Sequence, residues 1–167
     1  MKYVDLDATI GAVSGVMSPL VYLERLPEFA GDLPEGARAF ATDPGHYDFH
    51  GKWCVKDLKL ARVLLEPGTE YRERGHLELM FRHNCFKHEE DLIIRYAGVL
   101  SLHWDGPANP FVIGDIGVVA LDEVLPHDEG CSHEIACHNA TISVITADLT
   151  ATWIDAECDQ KPSQPAV

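Results

Sequence analysis

The stretch TISVITADLTATWI, residues 141–154, alternates between two side-chain characters. Ile145, Ala147, Leu149, Ala151 and Trp153 fall on one parity, and Thr146, Asp148, Thr150 and Thr152 on the other. Successive side chains of an extended chain point to opposite faces, so this period of two predicts a strand with one buried and one wet face. No helical stripe competes with it.

The same period recurs on the N-terminal side. DLIIRYAGVLSLHW, 91–104, predicts a long strand bent at Gly98, with Leu92, Ile94 and Tyr96 before the bend and Leu100, Leu102 and Trp104 after it. In HLELMFRHNC, 76–85, Leu77, Leu79 and Phe81 share a face. VKDLKLARVLLE, 55–66, shifts its apolar parity near Ala61, which predicts a β-bulge. GDIGVVALDEVL, 114–125, is apolar at both parities and predicts a central strand, and CSHEIACH, 131–138, a short one. About six strands with short turns and no intervening helical pattern predict a mostly β fold. The expected form is an antiparallel β-sandwich or an open β-barrel.

The first fifty residues predict an irregular segment with at most a short helix. YLERLPEFAGDLPEG, 22–36, spaces Leu23, Leu26 and Phe29 helically but contains Pro27 and ends near Gly31. Residues 1–158 read as one domain and 159–167 as a flexible, polar, proline-containing tail.

Composition narrows function. The chain has 167 residues, 13 basic against 27 acidic, and a formal charge of -14. That excess disfavours nucleic acid, whose binding depends on Lys and Arg neutralising phosphates. It favours a basic protein partner and leaves self-association into a homo-oligomer open. The N-terminus lacks a secretory pattern, and no apolar run is long enough to span a bilayer, so no membrane association and a cytoplasmic location are expected. Five cysteines, an odd number, predict reduced thiols rather than a disulfide framework.

Three groups of residues carry candidate chemistry. His83 and Cys85 share one strand face, and Cys131 and His133 another. Two imidazoles and two thiolates would complete a tetrahedral zinc site, the cofactor to expect if there is one. The same cysteines also fit a reading as small buried hydrophobes. In the segment HYDFHGKWC, His46, His50 and Cys54 form an alternative metal group. Glu89, Glu90, Asp91, Asp122, Glu123, Asp128 and Glu129 sit in turn-like acidic segments and predict an acidic rim. Of these, Glu89, Glu90, Asp91, Asp128 and Glu129, with Trp104 and His127, are the partner-binding candidates. Glu78, Asp148 and Glu134 on polar strand faces raise paired-carboxylate glycoside hydrolysis. No phosphate loop or nucleophile elbow is present. The first functional expectation is therefore a non-enzymatic acidic protein that engages and masks a basic partner, as an inhibitor or immunity protein does. The second is a metal-dependent hydrolase with a His/Cys zinc site.

Overall fold

The computed structural model describes residues 1–69, 73–106 and 113–156. The expected tail lies outside these residues. Six strands form one antiparallel sheet in the order β3-β4-β5-β8-β7-β6. They are β3 (Lys59–Glu66), β4 (Gly75–Arg82), β5 (Glu90–Asp105), β6 (Val119–His127), β7 (Gly130–Cys137) and β8 (Thr141–Asp155). The mostly β, antiparallel class read from the sequence is the one observed.

The two long strands shape the molecule. β5 and β8 pair along almost their whole length, from Glu90↔Asp155 to Asp105↔Thr141. The first half of β5 also pairs with β4, and the first half of β8 with β7. Between the halves, Gly98 adopts φ +66°, a region an L side chain rarely enters. The register shifts between Val99 and Ser101, and the sheet turns there. β3 carries its bulge between Leu60 and Arg62, at the predicted Ala61. The two edge strands approach each other at one end, through an antiparallel bridge between Lys59 and Val118. Reciprocal backbone bonds from Val119 N to the Leu58 carbonyl and from Asp57 N to the Val119 carbonyl, both 2.8 Å, reinforce it. The result is an open barrel pinched shut at one end. Its interior holds Leu58, Leu77, Leu79, Phe81, Leu92, Ile94, Tyr96, Ile135 and Ile142.

The bend corrects the expected stripe on β8. Ile142 and Val144 are buried, Ile145 is not, and the apolar parity resumes at Leu149. One residue's slip at the bend exchanges the two faces.

The N-terminal fifty residues are more ordered than expected. β1 (Asp5–Ile10) and β2 (Val13–Ser18) form a separate two-stranded hairpin. Two helices follow, α1 (Leu20–Phe29) and α2 (Glu35–Ala41). Pro27 lies inside α1, near its end, without terminating it.

This segment also explains why β6 is not the central strand that its sequence predicts. β6 is an edge strand, yet it is buried at both parities from Val119 to Val124. Tyr22 of α1 donates its hydroxyl to the Val124 carbonyl at 2.9 Å, and Tyr47 donates to the Asp122 carbonyl at 2.8 Å. Residues 2–4 cover the other side, their backbone amides donating to the Glu123 carboxylate at 2.8–3.0 Å. An edge whose carbonyls are occupied cannot recruit a foreign strand.

Candidate functional site

The interior is not uniformly apolar. Asp122 of β6 and His133 of β7 are offset by two pairs across the β6–β7 ladder, where Asp122 faces Ile135 and Val124 faces His133, and so share a face. Both side chains therefore point into the barrel. His46 reaches the same place from the loop after α2. Asp122 Oδ1 lies 2.7 Å from His46 Nε2, and Oδ2 lies 2.9 Å from His133 Nε2. His133 Nδ1 accepts the Tyr96 hydroxyl at 2.8 Å. His46 Nδ1 lies 3.0 Å from the Phe40 carbonyl. All four side chains are buried.

The partners fix the protonation. A carbonyl and a carboxylate only accept, so both nitrogens of His46 must donate, and the ring is an imidazolium paired with the Asp122 carboxylate. Burial alone would lower the His46 pKa, but the Asp122 charge and the hydrogen bonds to Asp122 and Phe40 outweigh it and raise it. Burial likewise opposes ionisation of Asp122, yet His46 and His133 hold its carboxyl well below the usual range. Tyr96 is pushed far above an ordinary phenol by burial and by Asp122, so it keeps its proton and donates it to His133. A cavity of about 10 Å³ adjoins Asp122 and His133, walled by Val55, Leu58, Phe81, Leu92, Ile94, Val119 and Ile135. That is the scale of one water molecule and too small for a substrate. The cluster is a satisfied polar knot tying the loop after α2 to the sheet.

The first zinc group does not converge. His83 and Cys85 do face one another, with Cys85 Sγ 3.3 Å from His83 Nε2. However, His83 Nδ1 is held by Asp91 at 2.7 Å, and Cys85 is disulfide-bonded, which corrects the expectation of reduced thiols throughout. Cys131 and His133 lie on β7, with β5 and β8 between that strand and β4. His133 is committed to Asp122 and Tyr96, and burial pushes the Cys131 thiol up to about 12, away from the thiolate a metal needs. The second group separates as well. His46 faces the core, His50 is exposed, and Cys54 is buried with its carbonyl accepting from His88 Nε2 at 2.8 Å. Among the described residues no three His, Cys, Asp or Glu side chains gather to hold a metal ion.

The carboxylates on the strands are also engaged. A concavity of about 420 Å³ on the outer sheet face is lined by Leu64, Glu66, His76, Glu78, Arg95 and Thr150, among others. Glu78 is clamped between Arg62 and Arg95, the latter at 2.9 Å. Asp148 accepts the Gly36 and Ala37 amides at 3.1 and 2.9 Å and so caps α2. Neither is free to act as a general acid.

The partner-binding candidates fall in three places. Glu89 ends the β4–β5 turn and Glu90 opens β5, Glu89 against Lys52 and Glu90 accepting from Trp53 Nε1 at 2.6 Å. Phe86 stands beside them, 96% exposed. Asp91 is buried and spent on His83. His127, Asp128 and Glu129 form the exposed β6–β7 turn, with Glu129 2.6 Å from Arg74. That turn abuts Thr146 and Ala147, eight residues along β8 from Asp155. At about 3.3 Å per residue the two turns are separated by roughly 26 Å of strand. Trp104 is half-buried farther along, opposite Ile142. Asp122 and Glu123, expected on an acidic rim, are interior groups. Their signal in the sequence was an acidic pair enclosed by the apolar run VVAL…VL.

Comparison of the chain with protein-family models, with curated proteins and with solved structures gave no match. No helix of the described residues is long and apolar enough to cross a membrane.

Proposed function

We propose that the protein is a non-enzymatic acidic binding protein that engages and masks a basic protein partner. The observation that carries this reading is how the titratable groups are divided. His46, His83, His88 and His133 and the thiols of Cys54, Cys131 and Cys137 are buried, and Glu78, Asp91, Asp122 and Asp148 are committed to partners, whereas acidic side chains occupy exposed turns. The formal charge of -14 gives such a surface a long-range attraction for a basic protein. At the β4–β5 turn Phe86 is exposed, and Glu90 accepts from exposed Trp53, so aromatic and acidic side chains are presented there together.

A metal-dependent hydrolase would need a solvent-open ligand set or a base of perturbed pKa in a concave pocket. Affinity capture from the source cell at low and high salt separates the two. The binding reading expects a basic protein recovered at low salt and depleted at high salt. Recovery of no specific protein at either salt, with metal-dependent cleavage of a generic ester or phosphate, would reverse it.

A further inference from the structure

Met17 near the end of β2 packs against the core, but Leu6, Ile10 and Val13 of the β1–β2 hairpin stay exposed. Its register pairs Ala8 with Val16 and Ile10 with Val13, and directly opposed residues share a face. The opposite face carries Thr9 and Ser14, whose hydroxyls meet at 3.2 Å. The ribbon is thus amphipathic, yet Ile10 is 48% and Val13 61% exposed. At its base Leu6 and Val21 line one open groove, and Leu20 beside them is 56% exposed. A two-stranded ribbon is marginal in water unless its apolar face packs on something.

We infer that this hairpin, with the Leu20–Val21 shoulder of α1, is the docking element for a basic protein whose apolar cleft receives Ile10 and Val13. The inference rests on the binding reading above and specifies where and how the partner is held.

Two observations select this occupant. The first is charge. The first fifty residues hold eight acidic and three basic side chains; exposed Asp5 and Asp7 line the groove together with Lys2, and exposed Glu24 lies one helical turn beyond Leu20. A second copy would bring the same acidic excess against itself, whereas Lys and Arg around an apolar cleft complement it. The second is the shape of the ribbon. Register shifts fall on both sides of Ala8, and Gly15 sits at φ +78°. Bulges twist a strand and break the regular row of free amides that an added strand would pair with. Recognition therefore runs through side chains rather than strand addition.

The test uses the full ¹⁵N-labelled chain, a synthetic peptide alternating lysine and leucine, and an oligolysine of equal charge. The lysine–leucine peptide is expected to shift the backbone amides of residues 5–18 and 20–24 and to release them at high salt. Oligolysine should bind at least tenfold more weakly. Ile10→Ser with Val13→Ser, both at exposed positions, should cost at least tenfold in affinity while leaving the sheet resonances in place. If that variant perturbs the sheet, Asp5→Lys with Asp7→Lys gives the second reading, an equal loss confined to low salt. Shifts confined to the β4–β5 or β6–β7 turns would overturn the hairpin assignment and leave the acidic binding reading standing. Absence of shifts with either peptide at any salt would overturn both. Concentration-dependent broadening of the hairpin amides without peptide would make the occupant a second copy and overturn the inference.

Discussion

The sequence places His46 and His133 in different metal groups, and the structure joins them through one carboxylate. Residue parity identifies the face a side chain takes but not which strand lies beside it, so the role of Asp122 was not legible. What the sequence did offer was its position inside an apolar run, where an ionised group must find partners. Removing this carboxylate leaves a buried imidazolium unpaired, so Asp122→Ala should cost about 3–5 kcal/mol, read from urea unfolding. The pair also sets a pH dependence. His46 has a raised pKa in the folded state, so its contribution is complete below its ordinary value of 6.5 and is lost as pH rises through the raised one. Asp122 is lowered, so its contribution is complete above its ordinary value of 3.8 and is lost as pH falls toward the depressed one. The pair stabilises most between these two ordinary values. The urea midpoint should decline from pH 6.5 upward, and the decline should be shallower in His46→Asn; an identical slope in both would remove His46 from the account.

At the level of elements, the features legible in the sequence were those encoded locally. The Ala61 bulge showed as a parity slip, and the β5 bend as a glycine within a strand pattern. The sequence of β6 predicts a central strand because burial on both faces is ordinarily the mark of one, while here the N-terminal segment covers an edge. That cover rests on specific contacts. Tyr22→Phe and Tyr47→Phe should each cost about 1–2 kcal/mol, since each leaves a β6 carbonyl unpaired in the interior. Calorimetry of the two variants measures this. Gly36 brings α2 close to the sheet, where an added Cβ would lie 2.0 Å from the Leu149 carbonyl oxygen. Gly36→Ala must displace the helix, at roughly 3 kcal/mol or a fall of about 6–12 °C in Tm. An unchanged Tm would contradict the packing described.

For the whole molecule, the proposed binding function gives the acidic field and the exposed hairpin face different steps of recognition. Charges spread over the surface steer the encounter, and a small desolvated centre sets how long the complex lasts. Neither the hairpin nor its face was legible in the sequence. Its strands are short, glycine-interrupted and polar at one parity, and β1 and β2 belong to no larger sheet that would repeat the pattern. The most direct measurement is the association rate between the chain and the basic protein captured with it, followed across ionic strengths on either side of about 0.15 M, where screening reaches about 8 Å. The account predicts an association rate that falls steeply with added salt while the dissociation rate hardly changes, and a dissociation rate that rises in Ile10→Ser with Val13→Ser. An association rate indifferent to salt would contradict it.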